Sequence, residues 1–174
     1  MASSKTQRVL LTSFDIWEPH HISNASDDLL AELIQRNLLD DRVHLLRKLP
    51  VDFELAPQQV CAEIERLQPE VVICCGMAEQ RSQLTIETNG KYQEKILETS
   101  IAVESLVETL TVTTISHDAG SFVCNHLYYA VLEFIQGDRC KQSIFIHVPI
   151  LNQLNLENTV NDFKLILQWL INLH

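Results

Sequence analysis

Apolar residues in this chain fall into short runs that alternate with stretches of helical spacing. The runs at 8–14 (RVLLTSF), 44–51, 71–77 (VVICCGM), 112–116 and 143–148 read as strands. The segment 83–88 (QLTIET) alternates apolar and polar residues and predicts a more exposed strand. Between these runs, Leu29, Leu30, Leu33, Ile34 and Leu38 share one side of a helix over 25–39, which Ser23, Asn24 or Ser26 could cap. Val60, Cys61, Ile64 and Leu67 form the stripe of a helix over 55–68, with Pro57 near its first turn and Pro69 as its stop. Val103, Leu106, Val107 and Leu110 predict a short helix. Leu127, Val131, Phe134 and Ile135 place an inward face on a helix over 121–135, and Val160, Phe163, Leu167 and Leu170 do so over 156–173. Strand–helix alternation of this kind predicts an α/β fold with three layers, α/β/α, around a mostly parallel or mixed sheet. Ligands in such sheets sit beyond the carboxyl ends of the strands. No repeat or linker divides the chain, so 1–174 reads as one domain, with 1–7 as a flexible tail.

Composition narrows the partners. With 13 Lys and Arg against 23 Asp and Glu, the net charge is −10, which repels nucleic-acid phosphates and anionic membrane surfaces. The longest apolar stretch, 71–78, has 8 residues if Gly76 is included. A membrane span needs ~20. The first seven residues have no apolar core and do not read as a signal peptide. Four glycines, at 76, 90, 120 and 137, cannot be arranged into a phosphate-cradling loop.

The five cysteines, Cys61, Cys74, Cys75, Cys124 and Cys140, are odd in number and irregular in spacing. They read as free thiols in a reducing compartment, the cytoplasm. Cys74 and Cys75 lie on opposite faces of a buried strand, Cys61 on a core-facing helix position and Cys140 in a loop. Cys124 differs. It follows a strand and a turn containing Gly120, in the first turn of a helix, where free N–H groups and the dipole favour a thiolate and lower its pKa. The same N–H groups suit an oxyanion. His147 ends the apolar strand IFIHV and needs a polar partner there. Both residues are expected at one edge of a parallel sheet, as nucleophile and base. The group that orients the imidazole could be Glu87, Asp118 or Asn125. His20-His21 read as exposed loop residues, not metal ligands. Cys124 and His126, two apart on a helix, diverge by ~200°, so with His117 they make no metal site. Arg81, near the end of a strand, suits an ion pair with Glu87 or a neighbouring acid.

These residues resemble a known family, the pyroglutamyl peptidase I (pyrrolidone-carboxylate peptidase) cysteine peptidases. DAGSFVCNHL at 118–127 is similar to the family's AGT(F/Y)xCN motif, and FIHVP at 145–149 to its histidine block. GMAEQR at 76–81, followed by LTIE at 84–87, resembles GxAxxR…ITxE, and LPVDF at 49–53, continuing into 71–73, resembles the stretch before it. The resemblance implies Cys124 as nucleophile, His147 as base and acid, and Glu87 as orienting carboxylate. It places Phe14, Trp17, Met77 and Arg81 around the substrate, with the two aromatics holding a lactam ring. The N-terminal block is a looser match: Ser13 and Glu18-Pro19 stand where the family has glycines. The segment after Glu87 also departs from the family pattern, and Glu87 and Cys124 are closer in sequence than there. The implied partner is a peptide with an N-terminal pyroglutamate, with no metal or organic cofactor, and homo-oligomer formation stays open. Two rival readings stand beside it: a cysteine hydrolase of the same fold with another acyl substrate, and a catalytically degenerate binding relative.

Overall fold

In the computed structural model, which describes residues 7–138 and 141–172, the chain runs β1 (Val9–Phe14), α1 (Ala25–Gln35), β2 (Val43–Leu49), α2 (Leu55–Leu67), β3 (Val71–Met77) and β4 (Thr85–Glu87). It continues through β5 (Asn89–Tyr92), β6 (Lys95–Glu98), α3 (Val103–Val107), β7 (Thr114–Ser116), α4 (Val123–Ile135), β8 (Gln142–Val148) and α5 (Leu156–Ile171). Six strands form one sheet in the order β2-β1-β3-β8-β4-β7, and β5 pairs with β6 in a separate hairpin. The strands β2, β1, β3 and β8 are parallel. β4 runs antiparallel to β8, and β7 follows β4.

The central strands are apolar on both faces because both faces are covered. Leu11, Ile73, Cys75, Ile144, Ile146 and Val148 pack under α1, α3 and α5. Leu10, Val72, Cys74 and Phe145 pack under α2 and α4. Cys74 and Cys75 therefore face opposite ways, as the two-residue period of a strand requires. The expected three-layer α/β/α arrangement with a mixed, mostly parallel sheet is what the chain forms. Cys61 is half-buried on α2, and Cys61, Cys74, Cys75 and Cys124 are free thiols. Cys140 and the first six residues lie outside the described residues. No described helix is long and apolar enough to cross a membrane.

Several elements differ from the pattern reading. Helix α1 starts as expected, with the Asn24 side chain accepting from Ser26 N, but ends at Gln35, and Asn37 takes a left-handed φ of 53°. Of the expected apolar positions only Leu38 lies beyond that stop, so spacing alone overran it. The segment 83–88 is not exposed: Thr85, Ile86 and Glu87 are all buried. β4 lies inside the sheet between β8 and β7, so both of its faces are covered and alternation no longer reports exposure. The β5–β6 hairpin was not legible, since NGKYQEKILE has no clear alternation. Its turn uses Gln93 at φ 53°, and its first strand lies on α4, where Asn125 bonds Lys91 through both N–H and C=O at 2.8 Å.

Candidate active site

Parallel pairing of β3 and β8 places Gly76 beside His147. In-register partners on parallel strands project to the same face, here the face covered by α4. Helix α4 enters over that point. A Cβ built on Gly76 would stand 2.6 Å from the Cys124 sulfur and 2.8 Å from Cζ of Phe145. The sulfur thus fills the space of the missing side chain, at the β3 position paired with His147.

The route by which Cys124 arrives differs from expectation. Cys124 and His147 do not reach a common edge from the ends of two parallel strands. β4 and β7 are antiparallel to β8, so the end of β7 faces the opposite edge. Residues 117–122 carry the chain back before α4 begins at Val123. α4 then runs antiparallel to β8.

Antiparallel pairing of β4 with β8 sets Thr85 opposite His147 and Glu87 opposite Phe145. Glu87 is therefore two residues along the same face from His147. His147 Nδ1 lies 2.7 Å from Glu87 Oε1, with both side chains buried. Arg81 Nη1 donates to the same oxygen at 2.5 Å, and Arg81 Nη2 also reaches Ser116 Oγ and the Asp118 carbonyl. The Tyr128 hydroxyl donates to the Glu87 carbonyl at 3.0 Å. Burial opposes the charge on Glu87. The His147 hydrogen bond, Ser116 and the charges of His147 and Arg81 outweigh it and hold the carboxyl below its ordinary value of 4.5. Of the three candidates for the imidazole's partner, Glu87 occupies the place. Asp118 instead faces Lys91 and the Gly120 N–H, and Asn125 is committed to Lys91.

The first turn of α4 keeps its N–H groups available. The first bond of the helix runs from His126 N to the Phe122 carbonyl, Phe122 supplies no side-chain cap, and the turn contains no acidic residue. The expected low-pKa thiolate is nevertheless not what the site favours. Burial pushes the Cys124 thiol up to about 12. Its own backbone N–H and Arg81 pull the other way, and Glu87 adds to the rise. Desolvation of the sulfur exceeds what one helix end returns.

Beside the sulfur lies a cleft of about 300 Å³ lined by Phe14, Trp17, Asn24, Val51, Met77, Glu79, Gln80, Phe122, Val123 and Cys124. Phe14 is buried, while Trp17 and Phe122 are each about two-fifths exposed and pack with ring centroids 4.6 Å apart and planes tilted by 41°. Phe14, Trp17 and Met77 line the same cleft as Cys124. Met77 sulfur also accepts from Ala25 N at 3.4 Å. Arg81 does not line the cleft and is turned to Glu87. Pattern reading missed Phe122, Asn24 and Glu79. An aromatic residue set immediately before a helix start was the available signal for Phe122; nothing local marks Glu79.

His21 is also not an exposed loop residue. Its side chain is 6% exposed, and its Nε2 lies 2.5 Å from Glu79 Oε1. His20 is exposed, 3.7 Å from Glu79 Oε2. The partner lies 58 residues along the chain, so the sequence around the histidines carried no trace of it.

Comparison with known proteins adds the lineage. A pyrrolidone-carboxylate peptidase of Pectobacterium atrosepticum is 31% identical over 169 residues, covering 81% of this chain and 77% of that protein. One from Brachyspira hyodysenteriae is 26% identical over 177 residues, covering 86% and 87%. The crystal structure of Bacillus amyloliquefaciens pyroglutamyl peptidase I superposes with a TM-score of 0.76 at 21% identity, covering 92% of this chain and 94% of that one. Pyrrolidone carboxyl peptidase from Thermococcus litoralis gives 0.75 at 22%, covering 93% and 92%. At those identities the structural likeness establishes the fold. The pyroglutamyl peptidase family model matches residues 7–92 and 96–167, most of the chain. The chain belongs to the pyroglutamyl peptidase family.

Proposed function

We propose that this protein is a cysteine peptidase that removes N-terminal pyroglutamate from peptides, with Cys124 as nucleophile, His147 as base and acid, and Glu87 as the carboxylate that orients His147. The observation that carries this reading is the buried His147–Glu87 hydrogen bond of 2.7 Å beneath a cysteine at a helix start. The cysteine opens on an aromatic cleft.

Burial pushes the Cys124 thiol up, so attack on the substrate begins with transfer of its proton. Glu87 accepts from Nδ1–H of His147, which leaves Nε2 to take the thiol proton. The sulfur attacks the carbonyl carbon of the pyroglutamyl residue, and the carbonyl electron pair moves to oxygen. First-turn N–H groups of α4 face that oxyanion. Collapse breaks the C–N bond, and Nε2 returns the proton to the leaving amine. A water then gives a proton to Nε2 and its hydroxide to the thioester carbon, the C–S bond breaks, and Nε2 returns the proton to the sulfur. Pyroglutamic acid and the free thiol are released.

Fit to the substrate follows from the lining. A lactam ring is small, uncharged and flat, with polar atoms on one edge. Phe14, Trp17 and Phe122 offer ring faces and edges. Arg81 serves the site through Glu87, neutralising a carboxylate that would otherwise be buried beside the imidazole.

The test is hydrolysis of pyroglutamyl-aminomethylcoumarin by the wild type and by Cys124→Ala, with far-UV circular dichroism to verify folding. Cleavage by the wild type, its loss in the variant and no cleavage of prolyl or alanyl coumarins are expected. Activity retained in Cys124→Ala would remove the nucleophile. Cleavage of the other coumarins instead would reassign the substrate.

A further inference from the structure

We propose that His20, His21 and Glu79 form a site for a divalent transition-metal ion on the rim of the cleft. One ligand atom from each of the three lies within 4.8 Å of the other two. A tetrahedral ion with bonds of about 2.0–2.2 Å places its donors about 3.3 Å apart. The His20 Nε2–Glu79 Oε2 separation is already 3.7 Å. The tighter His21–Glu79 contact would open as an ion enters between its partners.

Burial fixes the direction of one donor. The His21 side chain is more than nine-tenths buried, with its Nε2 facing Glu79, so that nitrogen is held toward the cluster. Two imidazoles and a carboxylate suit zinc, cobalt, nickel or copper, not magnesium or calcium, which favour all-oxygen sets. Three protein donors leave a coordination position for water or a peptide group.

Position links the site to the cleft. Glu79 lines it, and the ring of Trp17, which also lines it, stands 5.8 Å from the ring of His21. An ion held here fixes the loop that presents Trp17. The site makes no use of Cys124, so it stands or falls independently of the peptidase reading.

The experiment titrates Co²⁺ into Cys124→Ala, which lacks the cleft thiol as a competing soft ligand. Binding is read by visible cobalt absorption and by tryptophan emission. One saturable equivalent that quenches emission is expected, and His20→Ala or Glu79→Gln in the same background should weaken it more than about tenfold. Both substituted side chains are exposed enough for the fold to persist, and His126→Ala should bind unchanged. Binding that does not saturate, or that is the same in His20→Ala and Glu79→Gln, overturns the proposal.

Discussion

The sulfur of Cys124 occupies the place of a side chain on Gly76: a Cβ there would stand 2.6 Å from it. Gly76 is required for this close approach and not for any unusual backbone angle. Gly76→Ala should therefore displace Cys124 or the Phe145 ring. Overpacking of this kind costs about 1–3 kcal/mol, and misplacement of a reacting atom by ~1 Å costs on the order of 100-fold in rate. Parallel measurement of kcat/KM and denaturant midpoint should show activity falling far more than stability. Unchanged kcat/KM would mean that the sulfur's position is not set by this contact.

Replacing the carboxylate beneath the imidazole separates charge from shape. Glu87→Gln should lower kcat by about 10²- to 10⁴-fold, because an amide no longer specifies the tautomer that keeps Nε2 ready to accept a proton. The same variant has a signature in acid. Glu87 is held below 4.5 in the folded protein, so its contribution to stability is present above 4.5 and is lost as pH falls through the lower folded value. Thermal unfolding between pH 3 and 6 should fall less steeply in Glu87→Gln than in wild type. Parallel curves would place the acid sensitivity elsewhere.

The protonation of the Cys124 thiol can be read by alkylation. With the Cys124 thiol at about 12, carboxamidomethylation by iodoacetamide should be slow at pH 6 and keep rising beyond pH 9. A plateau between pH 5 and 7 would instead show a resting thiolate. Stability carries the matching sign. Cys74 and Cys124 both stand at about 12 when folded, against 9.0 for an ordinary thiol. The unfolded chain thus ionises first, and stability declines as pH rises from about 9 toward 12. Cys124→Ser should reduce that decline.

Asn125 joins the start of α4 to the hairpin by pairing with both backbone groups of Lys91. Asn125→Ala leaves those groups without this partner, at about 1–3 kcal/mol. Amide exchange at Lys91 should accelerate along with the loss in denaturation free energy. Gly90→Ala attacks the same contact from the other side, since a Cβ would stand 2.6 Å from Tyr129 N, a helix backbone atom with no freedom to yield. It should destabilise at least as much.

Local pattern was a good guide wherever burial follows periodicity. The strand at Val71–Met77 and the helix carrying Leu127 and Val131 were legible because each must hide an apolar face. Glu87, Cys124 and His147 were legible because their types suit nucleophilic chemistry and their blocks resemble those of a known family. The exposure of β4 was misjudged because its neighbours in the sheet come from distant sequence. The hairpin was hidden because a short strand held by Asn125 and a close glycine needs no alternating face of its own.

The apolar spacing by itself determined a covered sheet, and the residue types determined which side chains could exchange protons or attack a carbonyl. Only the tertiary structure decided that Glu87, not Asp118 or Asn125, meets His147, since that choice rests on an antiparallel turn of β4 against β8. Nor could the chain alone show that burial pushes the Cys124 thiol up or that His21 faces Glu79. Both depend on desolvation and on contacts between residues far apart in order, quantities that exist only once the segments have packed.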